Sequence, residues 1–431
     1  MKQKSLKNKC SWLMIVLVSI VQTANAQTVL TIEDCIRNAE TNYPLVRQYD
    51  LIEQSKNYSV SNIAKSYLPQ VSLNSQATYQ SDVTQLSLDM SSLPFDLDIP
   101  TMSKDQYRAT IDVSQQIWDG GITNAKRQLI QKNSEIEKQS VEVSLHTVKT
   151  KVIQLYFSIL AIEKQLGLLD LAEKNLLSSK NITQSMLDNG TAMPGDINLI
   201  NVEILNIDKK KIEQNALKKA YITMLGLFIN QSLTDDVSLQ TPVNSQALSK
   251  EINRSELRLY DAQNSLFDIQ HKLTNAHSTP KIGLFVQGGY GRPGLNMLDD
   301  NFKSFALGGI RLTWNISSFY TQKNDKRLIE QKRQSMMVQR ETFLFNTNVE
   351  LTQEEAEINK LKELIRKEEE IVQLRTQIKE QSESKYSNGV YQINELIRDV
   401  NSENQAMQNK ALNEILYLMK IYNYNHIQGN K

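Results

Sequence analysis

Cysteine is nearly absent: Cys10 and Cys35 are the only two in 431 residues. Charge of one sign is also lacking. Lys and Arg total 49 against 48 Asp and Glu, so no strong field for nucleic acid exists. The histidines number four, His146, His271, His277 and His426, and none has metal-ligand spacing. No nucleophile or acid–base constellation accompanies them. The chain is therefore expected to bind no metal and no cofactor and not to be an enzyme. No stretch after Gln27 reads as apolar enough for a membrane helix, so a membrane location would require β-strands.

The start of the chain reads as a secretory leader. Lys2, Lys4, Lys7 and Lys9 form a basic start, Trp12 to Val21 a short apolar run, and Ala24-Asn25-Ala26 a small-residue cleavage site. A retained anchor is the alternative. Cleavage before Gln27 would leave 45 basic and 48 acidic residues. It would also leave Cys35 alone, with no internal disulfide to form.

Proline is missing from residues 122–188, and glycine occurs there once, at Gly167. Within that segment Leu145, Val148, Val152, Leu155, Ile159, Ile162, Leu166 and Leu169 recur at alternating steps of three and four. This is a heptad seam, which predicts a helix packed along its length against other helices. At ~1.5 Å per residue, the segment would be a rod of roughly 100 Å, too long for an ordinary domain core. Leu30 to Asn42 predicts a short helix capped by Thr31, and Pro44 opens another that runs to about Tyr67.

Elsewhere the period is two. Val71, Leu73, Ser75, Ala77 and Tyr79 alternate with Gln70, Ser72, Asn74, Gln76, Thr78 and Gln80. A second such run is Tyr107 to Ile117. Each is about 9–11 residues long, the length of a tilted bilayer-crossing strand. An ordinary two-sided sheet has the same alternation. The 26 residues between them, Ser81 to Gln106, read as a hairpin loop.

The pattern then repeats. Asn253 to Leu284 parallels Asn42 to Leu73 at a constant shift of 211, and from Ile111/Ile310 to Gly190/Gly389 the shift is 199. The difference of 12 residues falls in the hairpin loop. The organisation is thus a leader (1–26), a first repeat (27–230, strands about 70–80 and 107–117, tip near 190), a connector (231–250) and a second repeat (251–431, strands about 281–290 and 304–314, tip near 389). The fold class is mainly α with membrane β: an internally duplicated protomer of long coiled-coil helices plus four strands. Four strands cannot close a barrel in lipid, where open edges leave backbone groups unpaired. Three copies would give a 12-stranded barrel, continued by a helical one.

Gly289-Tyr290-Gly291-Arg292-Pro293-Gly294 fits a dinucleotide-binding pattern, but no helix pattern follows it, so a hairpin loop is expected. Lys209-Lys210-Lys211 and Lys367-Glu368-Glu369-Glu370 read as solvated helix faces.

Taken in order, four pieces resemble the TolC-like outer-membrane factors of bacterial efflux and secretion systems. They are Leu30-Thr31-Ile32-Glu33-Asp34-Cys35 with Asn42-Tyr43-Pro44-Leu45, Tyr67-Leu68-Pro69-Gln70-Val71-Ser72-Leu73, Gln116-Ile117-Trp118-Asp119-Gly120-Gly121, and the two tips. Ile316-Ser317-Ser318-Phe319 departs from the third. The resemblance implies a homotrimer in the outer membrane with helices reaching into the periplasm. A periplasmic adaptor and an inner-membrane transporter would be its partners, with no nucleic acid. It would serve as a passive duct for efflux or type I secretion. A soluble periplasmic coiled-coil scaffold is the competing reading. The resemblance also makes Asn189, Gly190, Thr191, Asn388, Gly389 and Val390 adaptor-contact candidates, and Asp196, Tyr386, Tyr391, Glu395 and Arg398 aperture candidates. Tyr391 stands where some members have arginine, and Arg398 where some have a second aspartate. Arg398 is then expected to reach Glu395, three residues earlier, or a neighbouring subunit.

Overall fold

The structure is a computed structural model that describes residues 29–84, 102–235, 237–243 and 251–429. The leader and its cleavage site, most of the first hairpin loop and part of the connector lie outside the described residues. In chain order the elements are β1 (Val29–Leu30), α1 (Ile32–Asn42), α2 (Gln48–Ala64), β2 (Gln70–Tyr79), β3 (Asp105–Trp118), α3 (Ile122–Asp188) and α4 (Pro194–Ile229). The second series is β4 (Ser238–Leu239), α5 (Ser255–His277), β5 (Lys281–Arg292), β6 (Lys303–Thr313), α6 (Ser318–Ser387) and α7 (Ile393–Gln428). Short 3₁₀ turns, Pro44–Arg47 and Lys65–Tyr67, flank α2.

The chain divides into two compact units. The first comprises Met1–Val46, Val143–Arg254 and Phe345–Lys431; among its described residues the one strand pairing is the two-residue parallel pair of β1 with β4, and the other regular elements are helices. Its main core gathers the heptad seam of α3. Val152, Ile153, Tyr156 and Ile159 pack with Ile32, Cys35 and Ala39 of α1 and with Ile222, Leu225 and Ile229 of α4. All seam residues are buried except Leu166, which is half-buried. Thr31 caps α1 by accepting a bond from the Asp34 amide at 3.1 Å. The Tyr156 hydroxyl lies 2.8 Å from the Leu30 carbonyl and 2.7 Å from that of Gln240, tying the connector to the start of the fold.

One expectation is corrected here. An 18-residue window within Ile122–Asp188 does have the length and composition of a membrane-crossing helix, with mean hydropathy 1.4. Half of that window is buried inside the protein. The helix is apolar there because α1 and α4 pack against it.

The second unit comprises Arg47–Glu142 and Ser255–Leu344. It holds an antiparallel sheet in the order β2-β3-β5-β6. Register follows the alternation: Val71 opposes Val113, Val113 opposes Val286, and Val286 opposes Gly308. One face is therefore apolar across all four strands, yet it is exposed: Leu73 is 76%, Ile310 75% and Leu312 65% accessible. The other face carries Asn74, Thr110, Asp112 and Gln287, joined by hydrogen bonds through the Asp112 carboxylate. β5 continues through Gly289, Tyr290 and Gly291 to Arg292, so the dinucleotide-like run is mostly strand rather than the expected loop.

The two strand-to-helix junctions differ. Asp119 accepts bonds from the amides of Gly121 (2.9 Å) and Thr123 (2.6 Å), and so caps α3, with Tyr67 Oη on the same carboxylate at 2.9 Å. In the second repeat Asn315 engages hydroxyls instead: its carbonyl accepts from the Ser318 hydroxyl at 2.6 Å, and its side chain from the Ser317 hydroxyl.

Candidate functional site

Each long hairpin turns on an Asn-Gly pair built in one way. At the first tip Gly190 adopts φ +76°, a left-handed conformation that favours glycine. The Gly190 amide bonds Leu187 O at 2.9 Å, and the Thr191 amide bonds Met186 O at 2.8 Å. At the second tip Gly389 has φ +72°, with its amide on Tyr386 O and the Val390 amide on Lys385 O, both at 2.9 Å. These are Schellman turns, which satisfy the last helical carbonyls. Asn189 and Asn388 each donate their side-chain amide to the carbonyl four residues back, Ser185 and Ser384, at 2.8 Å.

The aperture candidates divide into three roles. Asp196 and Glu395 cap the returning helices, accepting from the amides of Met193 (2.8 Å) and Gln392 (3.2 Å). Tyr386 is buried, with its hydroxyl 2.8 Å from that of Thr183. Burial holds its phenol above the usual range; the Thr183 bond opposes that shift, and the Asp196 charge adds to it. Tyr391 and Arg398 both meet Asp399: Tyr391 Oη is 3.4 Å from Oδ2, and Arg398 Nε is 3.7 Å from Oδ1. Within the protomer Arg398 thus turns to Asp399, while Glu395 is engaged at its helix cap.

Asp399 is the residue that sequence reasoning missed. It is buried and accepts a bond from Ser382 Oγ at 2.7 Å. One turn on, Glu403 is 1% exposed, and Lys379 Nζ lies 3.2 Å from its Oε2 without hydrogen-bond alignment. The signal was present in the repeat. At the shift of 199, Asp399 corresponds to Ile200, which is buried in an apolar core that both hairpins share, and Glu403 to Ile204, which packs against that core. Charge thus stands where the internal repeat predicts isoleucine.

Two histidines also come together. The rings of His146 and His426 stack with centroids 3.6 Å apart, and the Nε2 of each lies 2.9 or 3.0 Å from the other's backbone carbonyl. Those nitrogens are taken by the backbone, and among the described residues no cluster of His, Cys, Asp and Glu could hold a metal.

No family model and no curated relative matches the chain. Solved structures do. The outer membrane protein VceC from Vibrio cholerae aligns at 13% identity over 93% of this chain and 96% of its own, with a TM-score of 0.65. The CmeC outer membrane channel of Campylobacter jejuni aligns at 12% identity over 92% of this chain and 85% of its own, with a TM-score of 0.64. The MtrE outer membrane channel of Neisseria gonorrhoeae aligns at 13% identity over 93% and 89%, also with a TM-score of 0.64. With strands, duplicated hairpins and Asn-Gly tips in one order along nearly the whole length, the chain has the TolC-like fold of these outer-membrane channel proteins.

Proposed function

We infer that the protein is an outer-membrane duct of an efflux system, with three copies closing a 12-stranded barrel around an aqueous passage. The observation that carries this reading is the sheet with one wet face and one apolar, exposed face. Val71, Leu73, Ile111, Val286, Ile310 and Leu312 lie on the apolar side, without cover from the protomer itself. Lipid is the medium such a belt fits, and the polar side then faces water. An apolar patch of this kind disfavours the competing reading of a soluble periplasmic scaffold.

The two tips form the periplasmic aperture in this reading, with the second hairpin contributing Tyr386, Tyr391, Glu395 and Arg398. The turns at Asn189-Gly190-Thr191 and Asn388-Gly389-Val390 are the contact for a periplasmic adaptor, and an inner-membrane transporter supplies the energy. The channels named above support a channel role; efflux of small molecules is our reading, and secretion of polypeptides by a type I system is the alternative within the same architecture. The test is fractionation followed by planar-bilayer recording. Recovery with the outer membrane and discrete conductance steps are expected. A detergent-free soluble protein that gives no steps would favour the scaffold.

A further inference from the structure

The chain is nearly balanced in charge, but the wet face of its sheet is not. Register puts Arg108, Lys281, Lys303 and Arg311 on that face. Asp112 is the one carboxylate that the four strands place there. Asp112 is already engaged by Asn74 (2.7 Å), Thr110 (3.0 Å) and Gln287. Lys303 pairs with Asp299. Arg108 and Arg311 form no ion pair within 4.0 Å with a carboxylate among the described residues, and the nearest compensation is the longer-range attraction of Arg311 to Asp112.

Both arginines are instead held by aromatic rings. The Arg311 guanidinium lies 4.5 Å from the centroid of Phe285, and that of Arg108 lies 5.7 Å from Phe305. Each ring rests on a glycine across the strand pair, Phe285 on Gly309 and Phe305 on Gly289. A Cβ at Gly289 would fall 2.5 Å from the Phe305 ring, and one at Gly309 3.2 Å from Phe285. The rings therefore lie down on the backbone with a cation over each. Ring contact restrains the guanidinium, yet leaves N–H donors without a carboxylate to receive them.

The geometry points to a specificity-determining role for this pair: Arg108 and Arg311 make the wet face select anionic cargo, of the carboxylate or phosphate class that a guanidinium fork matches. The inference rests on the reading that this face lines an aqueous passage. Fixed charges of one sign along such a wall raise the local concentration of counter-ions. Their reach is about 10 Å at 0.1 M salt and about 3 Å at 1 M, so the selectivity weakens as salt rises.

The experiment is reversal-potential recording on the purified full chain in a planar bilayer under a KCl gradient. Chloride should permeate better than potassium at about 0.1 M, with the preference shrinking toward 1 M. Arg108→Gln with Arg311→Gln should lower the chloride-to-potassium ratio several-fold. Gln76→Glu sets a carboxylate opposite Arg108 while keeping both arginines, and should lower the ratio even if the double variant fails to fold. A conducting channel that prefers potassium, or whose ratio none of these changes shifts, overturns the inference while leaving the duct standing. Absence of any conductance overturns the duct and the inference together.

Discussion

The Tyr386 hydroxyl and the Thr183 hydroxyl lie 2.8 Å apart in the core of the first unit, and Thr183 donates in turn to the Ser179 carbonyl at 2.8 Å. The direction of the chain follows: Tyr386 donates, Thr183 accepts and passes the next bond on. Tyr386→Phe therefore leaves no orphaned donor and should cost about 0.5–1.5 kcal/mol. Thr183→Val strands a buried phenol and should cost about 1–3 kcal/mol. Guanidinium unfolding of both variants checks the order; a larger loss for Tyr386→Phe would reverse the assigned direction.

The second hairpin carries its charges in the core, and the response to mutation should be lopsided. Lys379→Met alone leaves Glu403 buried without a counter-charge, a change that typically costs about 3–5 kcal/mol. The value should fall at the low end, because the Lys379 side chain retains 15% exposure. Lys379→Met with Glu403→Leu removes both charges and should be neutral or stabilising by up to about 4 kcal/mol. Denaturant midpoints decide this. A double variant weaker than the wild type would show that the pair stabilises the hairpin on balance.

Acid should weaken the fold through His426. Burial, then the neighbouring His146, lower its pKa from 6.5 to about 3, with Arg254 and Lys149 adding like charge. Lys149 is itself paired with Glu40. The folded value is depressed, so the stabilisation is complete above pH 6.5 and lost as pH falls from there toward 3. The slope is about 1.4 kcal/mol per pH unit. His426→Gln should flatten the stability profile between pH 6.5 and 5, before most carboxylates titrate. An unchanged slope in that window would exclude His426 as its source.

Orientation of the sheet can be read from two neighbouring residues. Val113 lies on the apolar face, and Asp112 on the wet one. An arginine at the lipid midplane costs about 2–4 kcal/mol. Val113→Arg should therefore impair assembly into the membrane far more than Asp112→Asn. Equal yields of heat-resistant oligomer would refute the assigned faces.

What was legible in the sequence is what repeats locally. The three-four spacing from Leu145 to Leu169 marks a buried seam because each step returns to one helix face, and the structure buries it. The alternation at Val71 to Tyr79 marks two faces because successive strand residues point apart. What was not legible depends on distance. β1 and β4 are two residues each, too short to show any period. His146 and His426 are 280 residues apart and share no motif. Asp399 and Glu403 were readable only by laying one repeat on the other, since singly each looks like a residue on a solvated helix.

The Tyr156 hydroxyl joins Leu30, at the head of the first repeat, to Gln240 in the connector. At the far end of the chain the Asn253 amide bonds Gln428 O at 2.6 Å. The first of these closures draws on the connector, outside either repeat, while the second ties the two ends of the second repeat together. Duplication has therefore not produced two autonomous halves. A chain cut after residue 230 loses the strand that pairs with β1 and one of the two carbonyls on Tyr156, in a part of the fold where a second copy of the same half has no connector to offer. The halves look interchangeable in outline, but circular permutation through this connector would open the seam that makes them one protein.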